Sequence, residues 1–311
     1  LNLSGTGSVL SQNADLENQA VGPDTIANIN IASSPNIQIY DTGVKQFSSQ
    51  AELTWQLTNR LSFSLGTSYF AIDRDSSYLL GMTGQQARAD VNYRLTRNMT
   101  VGAYYSFNYY LFPHGFGNSD TNTAGLIYSY AFNRTTQLRF RGGLSNVESV
   151  GLETIEVNPA YAALLGQGSG EIDAYLTYRT SDLSAQFIKD FRRGRTFSLA
   201  YARGISPGNG VFQTSQQESI SANLTAKVFR NYLFTAGVGR DTLESVTQNL
   251  GKYQSVYGRI SLARTYKRGA GLSLSVEYRH FDIDILGELR NQLRITSGVS
   301  WGSGTGRLWP F

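Results

Sequence analysis

Hydrophobic and polar residues alternate with a period of two along most of this chain, and the alternation is cleanest between Gly84 and Phe112. Ala87, Ala89, Val91, Tyr93 and Leu95 are separated by Arg88, Asp90, Asn92 and Arg94. A tight turn at Arg97-Asn98 follows. Then Met99, Val101, Ala103, Tyr105, Phe107, Tyr109 and Leu111 alternate with Thr100, Gly102, Ser106 and Asn108. Successive side chains of a strand point to opposite faces, so each run predicts a strand with one apolar face and one polar, partly ionised face. The short turn joins the two as an antiparallel hairpin.

The unit recurs. Ala51, Leu53, Trp55 and Leu57 lead through Thr58-Asn59-Arg60 to Leu61, Phe63, Leu65 and Tyr69. Ala124, Leu126, Tyr128, Tyr130 and Phe132 lead through Asn133-Arg134 to Leu138, Phe140 and Leu144. Tight turns fall near residues 59, 98, 133, 193, 231 and 268, at spacings of 39, 35, 60, 38 and 37. A repeat of about 37 residues is two strands of roughly a dozen residues, one short connection and one longer one. The interval of 60 contains a long loop, read as 150–170, whose apolar patch Tyr161 to Leu165 suggests one helical turn. The alternation changes phase near Ser181-Asp182. A turn there would throw every later short turn to the opposite rim, so a β-bulge is the preferred reading. Six short turns join twelve strands, and one strand at each end makes fourteen, with twelve to sixteen as the range. The first is placed at Ala27 to Tyr40, interrupted by Pro35, and the last carries Leu293, Ile295, Val299 and Trp301. Residues 1–26, rich in Asn, Ser, Gly and Asp, read as a polar segment acting as a plug or arm.

The faces decide the setting. Nearly every strand has a Tyr, Phe and Leu face opposed to one of Ser, Thr, Gly, Asn and Arg. A soluble sandwich covers its apolar faces with a second sheet and dresses the outer ones with Lys and Glu. This pattern instead fits a transmembrane antiparallel up-and-down β-barrel, all-β, spanning residues 27–311, with lipid outside and a polar lumen inside. No run of eighteen apolar residues occurs, so no transmembrane helix is expected. The mean hydropathy of −0.26 is no obstacle to a barrel, because half of each strand faces the lumen. The first residues show no basic stretch followed by an apolar one, and the reading is of a chain whose signal has been removed. Composition adds 19 Tyr, 16 Phe and 32 Gly against only 6 Pro, as long strands and tight turns require. Cysteine is absent, which excludes disulfides and cysteine-ligated metals. The net charge of +4 comes without any Lys/Arg block, so nucleic acid is not an expected partner.

Alternating strands, short turns alternating with long loops, and a C-terminal Phe311 together resemble Gram-negative outer-membrane β-barrels. Within that family the chain looks most like porin barrels, some of which accompany exopolysaccharide gene clusters. The resemblance implies short turns at the periplasm, long loops outside, and an insertion signal ending in Phe311. It also implies the barrel-assembly machinery, outer-membrane lipid and lipopolysaccharide as partners, with a periplasmic or envelope protein as a further one. This sequence departs from the signal in Pro310 and in Gly302, Gly304 and Gly306, which separate the tail from the strong strand.

Candidate chemistry lies on the lumen parity. The basic residues are Arg88, Arg94, Arg139, Arg141, Arg179, Lys227, Arg259, Arg279 and Arg294; the acidic ones are Glu52, Asp90, Glu171, Asp173, Asp190 and Glu277. Two readings stand: a ladder of Arg–carboxylate pairs that stiffens the wall, or an electropositive pore favouring anions or anionic polymers. Arg139 and Arg141 share a face with no acid between them on their strand, and are the best candidates for an anion-facing constriction. On the lipid parity Tyr105, Phe107, Tyr109, Trp55 and Trp301 form an aromatic girdle. Lumen-side Tyr104 and Tyr110 offer a sugar-stacking platform as the second reading. The two histidines do not suggest a hydrolase: His114 sits in a loop, and Ser273 and Ser275 have the opposite parity from His280. No metal-ligand spacing and no phosphate loop appear, so no cofactor is expected. The sequence thus predicts an outer-membrane channel, a porin or export conduit for hydrophilic, anion-leaning solutes. The alternative is a plugged barrel that docks partners in a larger envelope complex.

Overall fold

The computed structural model describes residues 2–10, 44–74, 81–113, 117–156, 169–191, 194–208, 213–229, 231–246, 251–266, 270–283 and 288–301. They form fourteen strands: β1 (Asn2–Leu10), β2 (Val44–Gln56), β3 (Leu61–Arg74), β4 (Met82–Arg94), β5 (Met99–Leu111), β6 (Gly117–Asn133), β7 (Thr136–Glu156), β8 (Ser169–Phe191), β9 (Arg195–Ser206), β10 (Ser215–Phe229), β11 (Tyr232–Ser245), β12 (Lys252–Thr265), β13 (Ala270–Ile283) and β14 (Glu288–Trp301). Each is hydrogen-bonded antiparallel to its sequence neighbours in one sheet, from β1 to β14. This is the up-and-down order that short hairpin turns dictate.

One face of the sheet is apolar and bare. Leu144 is 73% exposed, Leu126 69%, Ile295 66% and Val299 78%. The other face carries buried polar groups, among them Asp90, Ser106, Thr123, Ser145, Glu277 and Arg279. An exposed aliphatic face over a buried ionic one is the arrangement of a wall turned inside out toward lipid. Phe70 and Ile72 on β3, Met82 on β4, Tyr110 on β5, Phe112 just after it, Val147 on β7 and Ile205 on β9 form one apolar cluster, and Val246 after β11 packs against it. Strands so far apart in sheet order meet only if the sheet curls round a lumen.

The short turns are fixed locally. The Thr58 hydroxyl accepts from the amides of Arg60 and Leu61, and Thr96 Oγ1 accepts from the Asn98 amide. Asn133 Oδ1 accepts from the Thr135 amide at 2.9 Å. Side-chain oxygens that bond two or three residues onward specify such reversals.

Four features differ from the sequence reading. The strand paired with β2 is Asn2–Leu10, in register from Asn2↔Glu52 to Leu10↔Val44. Its Ser and Gly content hid it; the Ala27–Tyr40 run lies outside the described residues. The connection 150–170 is shorter than expected, because β7 runs to Glu156 and β8 starts at Ser169; Tyr161 to Leu165 lies outside the described residues. The Pro113–Asp120 loop likewise shrinks, since β6 begins at Gly117. Ser181-Asp182 is neither turn nor bulge. The β7–β8 ladder runs unbroken from Thr136↔Lys189 to Glu156↔Ser169. The side that carries the apolar residues changes there without any slip of the backbone. Bulges do occur, at Ala131/Asn133 and Lys227/Phe229, beside short turns.

Candidate functional site: the lumen wall

Sheet register aligns one inward row across five strands: Asp90↔Tyr104↔Gly125↔Gly143↔Asp182. The Tyr104 side chain lies flat along this row. A Cβ on Gly125 would sit 2.7 Å from the ring, and one on Gly143 2.5 Å from the hydroxyl. The two glycines therefore make the bed that the ring occupies. Across them Tyr104 OH donates to Asp182 Oδ2 at 2.5 Å. The Arg141 guanidinium stacks on the ring, its Cζ 3.6 Å from the centroid, and its Nε is 3.5 Å from Asp182 Oδ2. At the other end of the row Arg88 Nε is 2.7 Å from Asp90 Oδ2. A carboxylate that accepts from a phenol and faces a guanidinium is held by one charge-assisted hydrogen bond and one ion pair.

A second group sits on β12–β14. Register places Glu277 between Arg259 and Arg294. Arg279 Nη2 is 3.1 Å from Glu277 Oε1, and both side chains are buried. The Arg279 guanidinium also lies over Tyr257, 5.0 Å from its centroid. Arg139 stands opposite Ser129 and Gln186, with no ion-paired carboxylate among the described residues; its buried Nη1, like Arg141 Nε, has no hydrogen-bond partner there.

The sequence candidates fall as follows. Glu52 shares the inward side, in register with Gly66. Arg94 has inward parity but is exposed at the short-turn end. Arg179 does not face the lumen. With β8 unbroken, its parity is outward, where it is exposed and donates from Nε to Asn146 Oδ1 at 3.3 Å. Arg141 does have an acid beside it, Asp182 of the next strand, a residue the sequence reading passed over as the point of a bulge. Parity counted straight through β8 places Asp182 on the same side as Ser184 and Gln186. Tyr104 and Tyr110 face inward but are 3% and 1% exposed, so neither presents an open ring to a sugar. On the outward face Trp55 stacks on Phe63 at 5.6 Å, and Tyr105 OH donates to Asn122 Oδ1. Phe107 and Tyr109 share that face. The side chains of Trp301, Glu171 and Asp173, and all of Phe311 and His114, lie outside the described residues. His280 is exposed and bonded to Asn291 at 2.7 Å. Among the described residues no three His, Cys, Asp or Glu side chains gather as metal ligands.

Residues 42–156 match the family described as "Putative beta-barrel porin 2". That stretch, a little over a third of the chain, is similar to this family, and the fourteen-stranded up-and-down sheet has a β-barrel fold. Among solved structures it is similar to the ferric-catecholate import receptor Fiu of E. coli K12, at 10% identity and TM-score 0.47, over 78% of this chain and 47% of that one. It is similar to the ferric yersiniabactin uptake receptor FyuA of Yersinia pestis, at 11% identity and TM-score 0.48, over 78% of this chain and 44% of that one. A loop-deletion form of OmpT, an outer membrane protein of Vibrio cholerae, matches at 11% identity and TM-score 0.44, over 83% of this chain and 91% of that one. The barrel thus spans a little under half the length of the two receptors. No curated protein sequence matches it significantly.

Proposed function

We propose that this barrel is a passive outer-membrane channel for hydrophilic, anion-leaning solutes or polymers, with short turns toward the periplasm. The observation that carries this reading is Arg139. Most inward guanidiniums sit in acid–base or aromatic arrangements, so their field at a distance is that of a dipole. Arg139 has no bonded carboxylate among the described residues, and its charge acts at full strength on whatever passes. The paired groups then serve as the stiff frame, and the two readings of the Arg-rich face become two parts of one wall. No nucleophile–histidine pair among the described residues supports an enzyme. Lipid, lipopolysaccharide and the assembly machinery are its expected partners. Planar-bilayer recording tests the proposal: steps of conductance with chloride favoured over potassium support it, and cation preference at low salt sinks it.

A second reading, a plugged barrel docking partners in an envelope complex such as polysaccharide export or secretion, is favoured by the apolar cluster across the long-connection end. A barrel shut in this way in all its states would give no conductance steps in any salt.

A further inference from the structure

Charge is divided between the two ends of the strands. The six short turns and the strand ends beside them (57–61, 94–99, 131–137, 189–195, 227–232 and 264–269) hold 13 of the 27 Lys and Arg in the sequence but, in Asp190, only one of the 23 Asp and Glu. The stretches around the long connections (72–83, 111–120, 148–173, 203–218, 240–254 and 280–290) hold 5 basic residues against 14 acidic ones. Alternate connections of an up-and-down sheet lie on one side, so the two sets belong to opposite ends of the wall. Among the described residues every short turn contributes an exposed cation: Arg60, Arg97, Arg134, Arg195, Lys227 and Arg264. None of the six forms an ion pair with a described acid.

These cations do not hold the turns. Side-chain oxygens of Thr58, Thr96 and Asn133 make the reversals that carry Arg60, Arg97 and Arg134. Backbone bonds then stitch each turn to the next hairpin. The Arg94 amide donates to Arg60 O at 2.7 Å, Ala131 to Asn98 O at 2.8 Å, Asp190 to Thr135 O at 2.7 Å and Lys227 to Gly194 O at 3.0 Å. The charges therefore stand on a fixed rim. Neighbouring short turns are two strands apart, about 10 Å, which is also about the screening length at 0.1 M salt. At or below that salt their fields overlap into one positive band. A small anion meets one solvated guanidinium there and gains little. A flexible anionic chain touches several at once, and each contact after the first is intramolecular. The spread, turn after turn, borders a mouth; the acidic face of a folded protein would meet a patch on one side. On the lipid-facing parity the cations lie on aromatic rings instead, Lys189 over Phe191 and Arg264 over Tyr232 and Tyr266.

We propose that the short-turn rim captures flexible polyanionic chains at that mouth of the pore. That a captured chain then passes rests on the channel reading; the capture does not. The probe is fluorescein-labelled poly-L-glutamate of about 20 residues, up to about 66 Å long and able to span several turns. Its binding to the barrel in phosphatidylcholine nanodiscs is followed by fluorescence anisotropy at about 0.05 M salt. The unchanged barrel is compared with Arg60→Gln/Arg97→Gln/Arg134→Gln and with Lys45→Gln/Arg240→Gln/Lys252→Gln, which removes three exposed charges from the opposite end. Folding of each is checked by heat-modifiable gel mobility. Capture at the rim predicts binding at least about fivefold weaker in the first variant, within about twofold of the unchanged barrel in the second, and lost at about 1 M salt. No binding by the unchanged barrel, or equal weakening in the two variants, overturns it. If the short-turn triple variant fails to fold, Arg97→Gln alone is used, with a smaller loss expected and no loss overturning the capture site. If the triple variant retains less phosphatidylglycerol from mixed bilayers while binding polyglutamate unchanged, the rim serves the leaflet and the capture site is overturned. Conductance of the same barrels separates the two ideas. Binding with polyglutamate block of the current supports both. Binding with no conductance in any barrel keeps the capture site and sinks the channel, and conductance without binding does the reverse.

Discussion

Arg139→Gln removes one positive charge from the inward face and keeps a polar side chain of similar reach. An anion passing about 6 Å from a unit charge is favoured by about 0.7 kcal/mol at the dielectric of water, a factor of about 3 in occupancy. Arg141 and Asp182 are 3.5 Å apart and oppose each other. If the acid lies that much farther from the ion than the base, their net effect is about 0.25 kcal/mol, or roughly 1.5-fold. Arg139→Gln is therefore expected to lower the chloride-to-potassium permeability ratio about threefold, and Arg141→Gln/Asp182→Asn to change it by less than about 1.5-fold. Arg141→Gln alone exposes the Asp182 charge and should lower the ratio like Arg139→Gln. Asp182→Asn alone should raise it. The assay is the reversal potential across a planar bilayer under a KCl gradient near 0.1 M, where screening extends over about 10 Å. In 1 M KCl the screening length is about 3 Å and the differences should fade. An Arg139→Gln channel with unchanged selectivity at low salt would refute the reasoning, since it would place the Arg139 guanidinium away from the ion path.

The wall makes its own predictions. Leu144→Arg puts a charge where an exposed leucine faces lipid and should destabilise the barrel by about 2–4 kcal/mol if it lies near the bilayer midplane, measured by urea unfolding in lipid vesicles. Gly143→Ala meets both the Tyr104 hydroxyl and the Ala124 carbonyl and should cost about 1–3 kcal/mol in the same assay. Gly258→Ala is its control: nothing lies within 4 Å of that Cβ, and the variant should unfold at the wild-type urea concentration or slightly above it. Tyr104→Phe deletes the bond to Asp182 and should cost about 1.5–3 kcal/mol while leaving the Arg141 stack in place.

The wall was legible because its rule is local. Period-two alternation needs no knowledge of what lies across the lumen, and thirteen of the strands, from β2 to β14, follow it. Asn2–Leu10 escaped because Ser and Gly carry little of the contrast on which the rule depends. The inner chemistry was half legible. Parity placed Arg88, Asp90, Arg141 and Glu277 on one side, but pairing across strands needs register. Register at β8 was lost to an assumed bulge, and with it both Asp182 and the true side of Arg179. One wrong step of parity inverts every later assignment on a strand, so a single misread position cost two residues.

The apolar cluster at the long-connection end left a trace that alternation alone passes over. At the long-connection end of β3 the sequence reads Tyr69, Phe70, Ala71, Ile72, and at that end of β5 it reads Tyr109, Tyr110, Leu111, Phe112. These runs are apolar on both parities. A wall strand between lipid and a water-filled lumen has no reason to be apolar inward, whereas a strand covered on both faces does. The break in alternation occurs at the same end of both strands. It coincides with the inward residues that meet Ile205. Where barrel strands lose their polar parity together at one rim, something must cover them there; in this chain Val147 of β7 and Ile205 of β9 pack against them.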